Sequence, residues 1–400
     1  MPQTVKTRRV FYIPGYDPIH PRRYRELYRK EGAAQGDISG YEVALKPKQT
    51  KGAYGWRVEG SIEGGETVAD VEVLVWSDIV QDSMDLGVWA TYQQMVITAW
   101  RYIGSGALWR LMRLRKGPVV AALYPVVFLV VQLLLALLVA AGIGWLISLW
   151  LPAWVGLLGL GVVPPMLHWF KKQDNKILAY YLMHDYSYSA STRGSNPPEL
   201  EERMSEFAAR IAEVLEGDAD EVLVVGHSSG AHLAVSVISD LIRAGKVKPG
   251  GPVLSFLSLG QVVPMVSFLP EARRLRADLR YLCQKEELTW VDVTAPGDGC
   301  AFALCDPVSV TGVAPDEGKL WPLVLSAAFT QTLSPERWAE LRWKFFRLHF
   351  QYLCAFDNPG DYDYFKITAG PVTLGQRFEG RHPSASRIEA PVNKFTSVTQ

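Results

Sequence analysis

From Pro118 to Phe170 the chain runs 53 residues without an Asp, Glu, Lys or Arg. A helix needs about 20 predominantly apolar residues to cross a bilayer, so the run has room for two crossings and is too long for one. A buried helical pair in a soluble protein is the competing reading, and soluble cores rarely sustain a charge-free stretch of this length. Gly142, Gly144 and Pro152 weaken or interrupt a helix, which predicts spans near 119–141 and 150–168 joined by a short uncharged turn.

Basic residues crowd both outer ends of the run: Arg110, Arg113, Arg115 and Lys116 before it, Lys171, Lys172 and Lys176 after it. By the positive-inside rule both flanks belong in the cytoplasm, and a hairpin returns the chain to the side it started from. The expected location is therefore a cell (inner or plasma) membrane, with the polar part of the chain facing the cytoplasm. Just upstream, AWRYIGSGALWRLMRLRKG interleaves Trp100, Tyr102 and Trp109 with arginines. That mixture settles at headgroup depth, so the segment is expected to lie along the membrane surface.

Outside the hairpin the chain is balanced. Lys plus Arg and Asp plus Glu each number 41, which speaks against a polyanionic partner such as nucleic acid. Cys283, Cys300, Cys305 and Cys354 show neither CxxC spacing nor the density of a disulfide-stapled domain, and reduced thiols are expected. MPQTVKTRRVFYIPGYDP has only a short apolar run before Pro14 and Gly15, which reads as a first strand and not as a signal peptide.

The two halves flanking the hairpin read as α/β. RVFYIPG (9–15) and VEVLVWSD (71–78) are strand-like, and Gly64 and Gly65 sit between alternating stretches as in a β-hairpin, so the first half is expected to be mostly sheet. In the second half PELEERMSEFAARIAEVLEG (198–217) sets Leu200, Met204, Phe207, Ile211 and Leu215 on one helical stripe. EVLVVG, PVLSFLSLG and LTWVDV then alternate as strands with the helical SGAHLAVSVISDLIRAG and EARRLRADLRYLCQKE. Such alternation implies right-handed crossovers and a mainly parallel sheet. The polar segment 376–400 reads as a poorly ordered tail.

VLVVGHSSGAH (222–232) carries the chemistry: an apolar strand runs into Gly226-His227-Ser228-Ser229-Gly230, and a helix follows at once. A serine at a sharp strand-to-helix turn has a strained backbone, and bulky residues two positions either side would collide, which is what Gly226 and Gly230 relieve. The turn lifts the Ser228 hydroxyl above the sheet's carboxyl edge and leaves the Ser229 N–H facing the place where a carbonyl oxygen would gain charge.

On these residues the chain resembles the α/β-hydrolase superfamily, specifically its GxSxG serine lipases and esterases. The resemblance covers the elbow closely and the alternating pattern over about 198–350 loosely. It implies an α/β-hydrolase-like, mainly parallel sheet flanked by helices, here with an inserted two-helix transmembrane hairpin. The expected organisation is 1–95 and 171–375 as the two parts of the hydrolase domain, 96–117 as the interfacial segment, 118–170 as the hairpin and 376–400 as the tail.

The family's triad runs Ser, Asp or Glu, then His, so Ser228 implies a later acid and a still later histidine. Only His349 and His382 lie downstream of a possible acid. His349, in FFRLHFQYL, is preferred, although SPERWAELRWKFFRLHFQYL also reads as one helix with Trp338, Leu341, Phe345, Leu348 and Tyr352 on a buried stripe. His382, in the loop EGRHPSAS, is the alternative base. For the acid, Asp298 in Pro-Gly-Asp-Gly follows a strand, whereas Asp292 lies inside it and Asp306 is a weaker third. The second oxyanion donor of the family comes from a loop after an early strand. Gly15 and the Tyr16 N–H in YIPGYDP fit that place, although the family's lipases often show HG or HGGG there.

The resemblance implies a membrane-anchored serine hydrolase that attacks acyl esters of lipids through an acyl-enzyme, with membrane lipids as partners and an anionic headgroup favoured by the arginines. Acyl transfer to another acceptor and a non-catalytic membrane scaffold are the alternatives. No HExxH, zinc-type cysteine pattern, GxGxxG or Walker loop appears, and neither metal nor cofactor is expected.

Overall fold

The computed structural model describes residues 4–84 and 86–399, without the side chains of 175 and 176; the expectation for Lys176 at the hairpin's flank lies outside that description. Eight strands form one sheet: β1 (Thr7–Ile13), β2 (Glu42–Pro47), β3 (Gly55–Ile62), β4 (Gly65–Val73), β5 (Glu221–His227), β6 (Val253–Leu259), β7 (Leu288–Thr294) and β8 (Leu323–Ser326). Their order across the sheet is β2-β3-β4-β1-β5-β6-β7-β8. Only β3 runs against the others, pairing antiparallel with β2 and β4; the remaining pairs are parallel.

Sequence pattern explains the placement. All seven residues of β5 are buried, as an apolar run without alternation requires of a strand covered on both faces. The β3 strand alternates buried and more open residues, and the turn to β4 uses Glu63 at φ 53° and Gly64 at φ 74°, the left-handed pair that a tight hairpin demands. The two halves of the chain meet where β1 lies beside β5, with Val10 opposite Leu223 and Ile13 opposite Gly226. Both strands therefore end at the same level.

Helices cover both faces. The stripe of Pro198–Leu215 is buried with Leu233 and Ile238 of the helix Gly230–Arg243 against Phe256 and Trp290. The opposite face packs Tyr28, Trp56, Leu257, Tyr352 and Phe365. At the sheet's other end Arg8 is fully buried: Nε lies 2.6 Å from Glu221 Oε2, and its remaining nitrogens donate to the carbonyls of Gly370 and Val372. Glu221 Oε1 accepts from Ser255 Oγ and Leu374 N–H, each at 2.7 Å. One ion pair thus joins β1, β5, β6 and the 370–374 segment.

Four expectations change. The segment 71–78 is strand only to Val73, and a helix starts at Ser77. The first half is not mostly sheet, because Arg22–Ser39 is an 18-residue helix; Gly36 hides it from a propensity reading, yet a Cβ there would meet the Tyr41 carbonyl at 2.5 Å. Nor does the tail stand free. Its Ile388 bridges to Cys305, Ser384 N–H donates to Val324, and the Ser397 carbonyl accepts from Arg276.

The fourth concerns the hairpin. Lys116–Ser148 is one helix through Gly142 and Gly144, and the chain turns only at 149–152 before the second arm, Ala153–Val162 in 3-10 form followed by the helix Val163–Lys172. Gly144 and Gly159 serve packing, whereas Gly142 faces open space: a Cβ on Gly144 would sit 2.5 Å from the Gly156 carbonyl, and one on Gly159 2.3 Å from that of Ala140. Small residues let two arms approach backbone to backbone. Both arms are long and apolar enough to cross a membrane, and their outer residues, including Leu138, Trp150 and Leu158, are exposed.

Replacing Arg8 with Met would leave Glu221 charged and buried without its partner. The expected loss is about 3–5 kcal/mol of stability, read as a shifted midpoint in chemical unfolding of the full chain in detergent.

Candidate active site

The β5 strand ends at a residue with unusual backbone. Ser228 sits at φ 56°, a left-handed conformation that few residues other than glycine adopt, and its N–H donates to the Leu259 carbonyl at 2.9 Å. Both flanking glycines are obligatory on steric grounds. A Cβ on Gly226 would come within 2.7 Å of Ala231 Cα, and one on Gly230 would strike the Ile13 carbonyl at 2.1 Å. The elbow is therefore wedged against the end of β1, and the loop after β1 closes over it: a Cβ on Gly15 would lie 3.0 Å from Ser228 Cβ. Trp76 Nε1 donates to the Pro14 carbonyl at 2.9 Å and fixes that loop.

Asp298 follows β7, buried. Its Oδ2 lies 2.7 Å from His349 Nδ1 and accepts from the Tyr352 hydroxyl at 2.9 Å, while Oδ1 accepts from the Cys300 N–H at 2.9 Å. Burial alone would raise this acid; the His349 charge and these hydrogen bonds outweigh it and hold the carboxyl below its usual range. His349 Nε2 is buried with no hydrogen-bond partner among the described residues. His349 and Ser228 line the same two cavities, together with Tyr16 and Asp185, though no hydrogen bond joins the two side chains.

The one-helix reading of 334–353 does not hold. Ser334 caps a helix that stops at Leu341, a second short helix spans Phe345–His349, and Gln351–Leu353 is 3-10. This break lets Leu348 and Tyr352 stay in the core while His349 faces the cavities. His382, the alternative base, is exposed on its loop and lines neither cavity. Asp306 has a structural task, capping Pro307–Thr311 and pairing with Lys319. Asp292 is buried within β7, accepts from Ser258 Oγ at 2.5 Å, and is pushed up to about 8 by burial, so it carries a proton at neutral pH.

Tyr16 and Ser229 flank Ser228 from the β1 loop and the helix start, and neither N–H donates to an acceptor among the described residues. Two open donors beside a hydroxyl, with an imidazole whose far nitrogen is tied to a carboxylate, can hold an oxyanion and move a proton. Asp298, Cys300 and His349 also bring possible metal-ligating atoms within 4.8 Å of one another. Burial pushes the Cys300 thiol well up.

Sequence reasoning missed three neighbours. Tyr352 anchors the acid, and its spacing of three residues from His349 was the available signal. His227 Nε2–H donates to the His349 carbonyl at 3.0 Å, and burial followed by the His349 charge pushes its ring down to about 3. Asp185, in the helix Ala179–Ser191, lines both cavities, and burial raises its carboxyl to about 7. A lone acid among the aromatic residues of YYLMHDYSYS was its only trace.

Because the folded chain holds the Asp185 proton more tightly than the unfolded chain does, stability falls as pH rises from about 4 through about 7. Asp185→Asn should flatten that slope, so melting temperatures of variant and parent should diverge in the variant's favour between pH 5 and pH 8. Comparison with protein-family models, curated proteins and solved structures finds no match to this chain.

Proposed function

We propose that the chain is a membrane-anchored serine hydrolase cleaving acyl esters of lipids, with an α/β-hydrolase-like domain at the cytoplasmic leaflet. The observation that carries the reading is the pairing of a left-handed Ser228 with an imidazole that shares its cavity, bound at Nδ1 by Asp298 and without a partner at Nε2 among the described residues. In this mechanism Ser228 Oγ attacks the carbonyl carbon while His349 Nε2 takes its proton. Negative charge on the former carbonyl oxygen meets the N–H groups of Ser229 and Tyr16. As the carbonyl re-forms, the C–O bond to the alcohol breaks and His349 returns the proton to the leaving oxygen. Water, deprotonated by the same imidazole, then releases the acid. Asp298 holds the ring's tautomer and offsets its charge throughout.

Membrane attachment supports the substrate class. The exposed apolar surface of the two long arms has no cover among the described residues, and burial in hydrocarbon is its natural environment. Exposed Trp89, Trp100 and Trp109 continue this surface along the segment before the hairpin, while Tyr102 turns inward and donates to the Met265 carbonyl. Arg113, Lys116 and Lys172 stay exposed beside it, as an anionic cytoplasmic leaflet favours. The membrane helix also begins against the acid's loop: a Cβ on Gly117 would meet the Gly299 carbonyl at 3.1 Å, and Arg115 Nε donates to Ala303 at 2.7 Å.

A fluorophosphonate probe applied to the full chain in detergent tests the proposal. Labelling is expected at Ser228 and lost in Ser228→Ala; absence of labelling in the folded parent would end the hydrolase reading. On an ester substrate, Ser228→Ala and His349→Ala should each lower kcat by about a thousandfold or more. His382→Ala should leave it unchanged.

A further inference from the structure

A third cavity lies between the membrane arm and the domain, outside the site described above. Its walls come from the helix Val88–Gly104 (Thr98, Ala99), the first membrane arm (Val119, Ala122, Val126) and Met183. It offers about 160 Å³ of accessible space and is not closed off from the surface. Apart from Thr98 and the two tyrosines, its lining offers no polar side chain. Water gains few hydrogen bonds in such a space, and an alkyl chain loses none by entering it.

Two features give the cavity a direction. Three of its residues, Tyr102, Tyr186 and Met265, also line the cavity that holds Ser228 and His349. Tyr102 is pinned there by its hydrogen bond to the Met265 carbonyl at 2.9 Å. At the opposite side Ile103 is 51% exposed and Leu123 41%, so the lining reaches the same outer surface as the apolar arm. Pro118 lines the Ser228 cavity and Val119 the apolar one, so the first turn of the arm borders both.

From this adjacency we infer that the apolar cavity is the acyl-chain site, taking a long-chain acyl group that enters from the bilayer beside Ile103 and Leu123 with its carbonyl end toward Ser228. The inference rests on the hydrolase reading for its catalytic consequence, and not for the binding itself. The membrane arm then has two tasks. It anchors the chain, and it forms one wall of the site that measures chain length.

Filling the cavity tests this. Ala122→Trp should lower the ratio of kcat/KM for a sixteen-carbon over a four-carbon p-nitrophenyl ester by at least about tenfold, since several methylenes lose their place. Leu138→Trp, which places the same side chain on the exposed face of the same arm, should leave the ratio unchanged. A second measurement is independent of turnover: a palmitic acid bearing a terminal diazirine, irradiated with the full chain in detergent, should crosslink to cavity residues in the parent and in Ser228→Ala. That labelling should fall in Ala122→Trp. Crosslinking without esterase activity would remove the hydrolase reading and keep the chain site. An unchanged ester ratio in Ala122→Trp, or crosslinks that map away from the cavity, would overturn the inference.

Discussion

The end of β1 and the start of the helix Gly230–Arg243 approach so closely that no side chain fits between them. At Gly230 even a methyl group would overlap the Ile13 carbonyl, at 2.1 Å. Everything about the site follows from that contact. It forces glycine at the helix start and pushes Ser228 into a left-handed conformation. It also brings the Gly15-Tyr16 loop over the serine. A left-handed non-glycine residue costs on the order of 1–3 kcal/mol, and it persists only where neighbours fix the backbone on both sides. Here the Ser228 N–H is held by β6 and the helix Gly230–Arg243 is buried along most of its length. At the far end of β1 and β5 the Arg8–Glu221 pair fixes their register.

Around this rigid pair the other groups arrive by longer routes. Asp298 comes from the end of β7, two strands away, and His349 from a broken helical segment that packs Leu348 and Tyr352 into the core. Tyr352 ties the two together, since its hydroxyl touches both the Asp298 carboxylate and the Ala295 N–H. Asp185 enters from the helix that follows the hairpin. The elements on either side of the hairpin thus supply walls to the cavity around Ser228, Tyr102 before it and Leu182, Asp185 and Tyr186 after it.

Legibility in the sequence followed the range of the forces involved. Strands with unbroken apolar runs, such as β5 and β6, and the striped helix Pro198–Leu215 announce themselves, because local periodicity and burial coincide. The elbow was readable in part for the same reason: Gly226 answers a clash with Ala231 a few residues away, whereas Gly230 answers the distant Ile13 carbonyl. Arg22–Ser39 was not, because its glycines argue against a helix locally and are required by Tyr41 and Phe365, one of them distant in the chain. Gly144 misled in the same sense: a residue that weakens a helix in isolation is the one that lets two helices touch.

What the sequence by itself determined is the α/β alternation, the long charge-free pair of arms and the serine between its two glycines, all written in contiguous residues. Two histidines and three aspartates remained open on sequence spacing, and only tertiary structure gave them different positions. It set His349 beside Asp298 and left His382 on the surface, and it enlisted Asp306 as a helix cap and Asp292 as a buried, protonated strand residue. The physical reason is that a titratable group takes its role from burial and from partners far away in the chain, whereas a helix or a strand takes its form from its neighbours.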